Sequence, residues 1–98
     1  MAYHFSAEKT GEQDLQTLQE RLSKFNLIEF FPVEVSDESL TLGVSIPFKV
    51  MDDPRFENEV EKAMSYLVSE QGFQVTDLFT GNGIASSDIS KLASQISA

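Results

Sequence analysis

Leu40, Leu42, Val44, Ile46 and Phe48 alternate with Thr41, Gly43, Ser45 and Pro47, giving one apolar face and one small, largely polar face. A period of two predicts a half-buried β-strand. Upstream, Leu27 to Val35 (LIEFFPVEV) is apolar on both faces. Pro32 has no N–H for a ladder, which predicts an edge strand or a bulge. Ser36-Asp37-Glu38-Ser39 between the two stretches reads as a turn.

Elsewhere the period is helical. Leu15, Leu18, Leu22 and Phe25 recur at three or four residues, with Gln16, Gln19, Glu20, Ser23 and Lys24 on the other side. A helix over 11–25 is expected, opened by a Thr10–Gln13 capping box and closed by Asn26 in a left-handed conformation. Asp53-Pro54 reads as N-cap and first helical position of a second helix. Its stripe is Phe56, Val60, Ala63, Met64 and Leu67, and it stops at Gly72. Residues 73–80 then read as a strand. Residues 86–97 read as a C-terminal helix capped by Ser86 or Ser87, with Ile89, Leu92, Ala93 and Ile96 on one side.

The first nine residues decide the topology, either as a short strand or as a flexible arm. Tyr3 and Phe5 alternate with Ala2, His4 and Ser6. If residues 2–7 form a strand, the order is βαββαβ plus a helix. That is the α+β, ferredoxin-like two-layer sandwich, with the strand bearing Pro32 at its edge. If they do not, an α-β-β-α-β-α layer fold with a disordered N-terminus remains.

Composition narrows function more than fold. Ninety-eight residues suit a single domain spanning 1–98. With no cysteine, disulfides, thiolate metal sites and thiol catalysis are excluded, and a reducing compartment is suited. Sixteen acidic against seven basic residues give a net charge of −9, which repels nucleic-acid backbones and anionic membranes and attracts basic partners. Neither a leader nor a run of eighteen apolar residues is visible, so a cytoplasmic protein is expected.

Candidate chemistry is sparse. The stretch TGNGIASSDIS, residues 80–90, resembles an anion-binding turn, with Gly81, Asn82, Gly83, Ser86 and Ser87 as the local candidates. It lacks the spacing and lysine of a P-loop and the third glycine of a dinucleotide fingerprint. Asp88 already brings negative charge to the helix start, so a hinge is the better expectation. His4 is the only histidine, and it has no cysteine or second histidine to share a transition metal. Asp52, Asp53, Glu57, Glu59 and Glu61 crowd the start of the second helix without a calcium-loop pattern. No catalytic set, metal or cofactor is expected.

Surplus apolar surface is the stronger signal. With Phe31, Val33 and Val35 turned to the core, Ile28 and Phe30 fall on the opposite sheet face beside Thr41, Gly43 and Ser45. Those five residues form the expected partner surface, unless the C-terminal helix covers it. The expected function is a small acidic, non-enzymatic protein-interaction module: an adaptor, an inhibitor or a chaperone-like protein. Its partner is a basic protein, or a second copy bound through the sheet face or edge strand. The alternative is a small-molecule-binding regulatory domain using the 80–88 loop.

Overall fold

The computed structural model describes residues 1–11 and 14–97. The elements run β1 (Ala2–Thr10), α1 (Leu15–Leu22), β2 (Glu29–Val35), β3 (Ser39–Pro47), α2 (Phe56–Ser65), β4 (Gln74–Asp77), β5 (Gly83–Ile84) and α3 (Ile89–Ser97). The fold is α+β, with one antiparallel sheet ordered β2-β3-β1-β4-β5. The sheet departs from the four-stranded ferredoxin-like layout through its fifth strand, which the sequence did not signal.

The N-terminus is a strand, so the alternative with a disordered arm is set aside. All nine residues of β1 pair with β3, and Phe5 to Glu8 also pair with β4. The polar residues of β1 sit on one face only. Phe5 and Ala7 are buried opposite Val44 and Leu42, whereas His4, Ser6 and Glu8 point the other way. A central strand needs only one apolar face when helices cover one side of the sheet.

Phe5, Val44, Ile46, Val60, Met64, Leu67 and Leu92 are at most 1% exposed and form the centre of a single core. Burying each of the larger side chains contributes roughly 1.5–3 kcal/mol. Ile89, Leu92, Ala93 and Ile96 of α3 join this core, and α3 packs beside α2. It therefore does not screen the sheet face that carries His4 and Phe31, both of which are exposed.

Several boundaries differ from the sequence pattern for local reasons. Helix α1 starts at Leu15 with Asp14 as N-cap, whose carboxylate accepts from the Thr17 N–H at 3.1 Å and from its hydroxyl at 2.8 Å. The expected Thr10–Gln13 box falls on Gln13, outside the described residues. The helix closes without a left-handed Asn26, since positive φ occurs only at Gly11, Gly72 and Gly81 among the described residues. Instead, the Ser23 hydroxyl donates to the Glu20 carbonyl at 2.7 Å. Asp53 does not cap α2 directly. Its carboxylate accepts from the Arg55 N–H at 2.8 Å and forms a turn that delays the helix to Phe56. After Ser65 the helix widens into a π turn over Tyr66–Glu70 and ends at Gly72, φ +72°.

The largest correction concerns β2. Phe30 pairs with Val44 and Phe31 with Gly43. Cross-strand partners share a face, so Phe30 turns toward the core and Phe31 away from it. Ile28 is 3% exposed, while Phe31, Val33 and Val35 are 44%, 63% and 53% exposed. The facing of residues 28–31 is the reverse of that expected, while Val35 keeps the expected core side at an exposed margin. A bulge between Pro32 and Glu34 shifts the register once more, so Val35 pairs with Leu40. Pro32 lies on an edge strand, as its missing N–H requires.

Candidate functional site

Helix α1 has only eight residues, and it leaves part of β2 uncovered. Between the two lies a groove of about 400 Å³. Leu15, Leu18 and Leu22 form its helical wall, Phe30, Pro32 and Val35 its strand wall, and Leu40 and Leu42 its floor. Only Gln19 and Ser23 add polar side chains to the lining. Leu15 and Phe30 are half-buried and packed on the core's margin, so the groove continues the core to the surface.

The ends of this groove differ in charge. The Gly11 N–H donates to the Glu38 carbonyl at 2.6 Å, which ties the approach to α1 to the β2–β3 turn. Asp14 at the start of α1 and Asp37 and Glu38 in the β2–β3 turn therefore lie at the Val35 end, all exposed, whereas Glu34 pairs with Thr41 on the opposite sheet face. Hydrogen bonds from the Thr17 backbone and hydroxyl hold the Asp14 carboxyl below its ordinary pKa, so it stays ionised.

The five residues expected to form one partner surface are split. Ile28 and Phe30 belong to the core side of the sheet. Thr41, Gly43 and Ser45 belong to the other side, where Phe31 lies across Gly43. Ser45 is buried and Thr41 half-buried. The open face is thus small and polar, with Phe31 and Leu78 as its exposed apolar residues. Sequence reasoning missed the groove itself, although the two-sided apolar character of residues 27–35 signalled it.

The loop bearing Gly81, Asn82, Gly83, Ser86 and Ser87 is a β4–β5 hairpin followed by a short 3₁₀ turn. Several of its amides are engaged internally. Asp77 accepts from the N–H groups of Phe79 at 2.8 Å and Thr80 at 3.2 Å, and its carbonyl accepts from Gly81 at 2.7 Å. The Asn82 N–H donates to the Thr80 hydroxyl at 3.2 Å. The Asp88 carboxylate takes the Ala85 N–H at 3.0 Å, at the point where an anion would approach α3. The positive φ falls on Gly81 rather than on Asn82 or Gly83.

The acidic cluster at the start of α2 disperses in the same way. Asp53 grips the Arg55 guanidinium at 3.0 and 3.1 Å, which lowers its pKa to about 2. Glu59 accepts from the Leu27 N–H at 2.6 Å and so anchors the chain leading into β2. Among the described residues, no three histidine, aspartate or glutamate side chains are placed to hold a metal ion.

A broader hollow of about 680 Å³ between α1 and α2 holds Arg21, Lys24, Arg55 and Lys62. Glu59, Glu61 and Glu70 share it, and Arg21 stacks on Tyr66 at 4.9 Å and reaches Glu70 at 3.7 Å. It is a mixed-charge surface rather than an anion site. Among the described residues, no helix is long and apolar enough to cross a membrane. The chain matches no protein-family model, no curated protein and no solved structure.

Proposed function

We propose that this protein is a small acidic, non-enzymatic interaction module that takes a partner protein on the side formed by α1 and β2. One observation carries the reading: exposed Val35, with Phe30 and Pro32, lines an apolar groove that is continuous with the core. Apolar surface gathered at one place on a small domain marks a contact site, because covering it releases ordered water. The charge of −9 favours a basic partner over a second copy, which would carry the same charge. Adaptor, inhibitor and chaperone-like roles all use such a surface. A cytoplasmic setting accords with the absence of cysteine.

The neighbour order β2-β3-β1-β4 supports reading the framework as a ferredoxin-like core extended by β5. The alternative, a small-molecule regulatory domain using residues 80–88, has less support because the Asp77 and Asp88 carboxylates already take the Thr80 and Ala85 amides. Affinity capture from cell extract tests the proposal. Wild type retains a partner that Val35→Asp loses, with both proteins melting at similar temperatures. Equal capture by the folded variant excludes this side of the molecule.

A further inference from the structure

We infer that the occupant of the α1–β2 groove is an amphipathic helix of a partner protein, with lysine or arginine at the end that meets the β2–β3 turn. The inference rests on the interaction-module reading and adds the partner's conformation and charge.

The edge of β2 disfavours an added strand. Pro32 has no N–H to offer, and the bulge before Glu34 breaks the register midway along the strand. Strand addition needs an uninterrupted row of backbone groups, and these two features leave only short pieces. The groove itself lies on the side of the sheet where α1 packs, with Leu40 and Leu42 as floor. A helix laid beside α1 would extend the helical layer over the uncovered part of β2, as ridges pack into grooves.

Length and charge define that helix further. From Ile28 to Val35 the strand advances about 23 Å at roughly 3.3 Å per residue. A helix of about 15 residues covers that distance. Its apolar stripe would fill the space between Leu18 and Phe30. Its cationic end would meet Asp14, Asp37 and Glu38, all exposed at one end of the groove. A second copy is the poorer occupant, since it brings its own nine net negative charges to an acidic rim.

The test uses three labelled peptides of about 15 residues and fluorescence anisotropy at about 0.15 M salt. One peptide places leucine at helical spacing among lysines. The second has the same composition in strict alternation, and the third replaces lysine with glutamate. The helical leucine–lysine peptide should bind at least about tenfold more tightly than either of the others. Val35→Lys, and separately Asp37→Lys with Glu38→Lys, should each weaken it about tenfold while leaving the melting temperature nearly unchanged. Amide shifts on binding should concentrate on α1 and β2.

If the alternating or acidic peptide binds as well and Val35→Lys abolishes it, the cationic-helix inference falls and the interaction surface stands. If the three variant sites affect no peptide, both fall. A concentration-dependent dimer in sedimentation that Val35→Lys dissociates assigns the groove to a second copy and overturns the inference.

Discussion

The Tyr3 hydroxyl donates to the Asp77 carboxylate at 2.5 Å, linking the first strand to the end of the fourth across 74 residues of sequence. Asp77 is only 5% exposed, and the same carboxylate also holds the N–H groups of Phe79 and Thr80. One charged side chain thus closes the sheet and shapes the β4–β5 hairpin. The Phe79 ring completes the unit by packing on Tyr3 at 4.6 Å. Asp77→Ala leaves a hydroxyl and two amides short of an acceptor, and it should cost about 3 kcal/mol in chemical denaturation. Tyr3→Phe removes one bond to a charged group and should cost about 1.5–2 kcal/mol. A double-mutant cycle should show the two losses to be strongly non-additive. Additive losses would mean that the 2.5 Å bond does not form in solution.

The same bond predicts a response to alkali. Burial, with the Asp77 hydrogen bond and charge after it, pushes the Tyr3 pKa from its ordinary 10.0 up to about 12. The folded state therefore keeps a proton that the unfolded chain gives up. Below pH 10 the contribution is complete, and it declines as pH rises toward about 12. Denaturation midpoints should fall across this window for wild type and stay flatter for Tyr3→Phe. Parallel decline in both proteins would remove Tyr3 as the cause.

Strand β3 and the helical faces of α1 and α2 were legible because their apolar residues follow a single period. Strand β2 was not legible in that way. Apolar residues occur on both of its faces, so periodicity could not choose between them. The choice is made by Ile28, which is fixed to the core by the Leu27–Glu59 hydrogen bond beside it, and by the bulge that follows Pro32. Strand β5 has two residues and no pattern to read. The groove escaped detection because it depends on where α1 stops, a matter of Asp14 and Ser23 capping rather than of hydrophobic spacing.

Two substitutions in and beside that strand test the facing directly. Ile28→Ala removes a side chain that is 3% exposed and should cost about 2–4 kcal/mol. Val33→Ala alters a bulged residue 63% exposed and should change stability by less than about 0.5 kcal/mol. Urea unfolding at constant m-value reads both. A larger loss from Val33→Ala than from Ile28→Ala would restore the opposite facing of β2.

Gly43 carries a neighbour's ring where a side chain would otherwise stand. A Cβ built there would overlap the Phe31 ring at its Cε2 and Cζ. The backbone needs no special conformation at this glycine, so the constraint is contact alone. Gly43→Ala should therefore swing the Phe31 ring off the sheet, at a cost of about 1 kcal/mol or less, because that ring is already 44% exposed. Proton shifts of Thr41 and Ser45 should lose their ring-current displacement. In a Phe31→Ala background the same change should be neutral or stabilising, since alanine suits a strand better than glycine. A penalty that persists without the ring would place the clash elsewhere.

Acid should act on the molecule through Asp53 and Asp14. Hydrogen bonds from the Arg55 side chain and backbone bring the Asp53 pKa from 3.8 to about 2, and those from Thr17 lower that of Asp14. Both groups release protons more readily when folded. Their contribution is present above the unfolded pKa and is lost as pH falls from about 4 toward 2. Both are surface groups, so solvent and salt weaken the effect. Asp53→Asn with Asp14→Asn should flatten the decline of the melting temperature across this window, and 1 M salt should flatten it in wild type. The two sites should also separate locally. Losing Asp14 should increase amide exchange at the start of α1, beside the groove, whereas losing Asp53 should do so at the start of α2. If neither segment exchanges faster in its variant, the Asp14 cap and the Asp53 turn are not what holds these helices at Leu15 and Phe56.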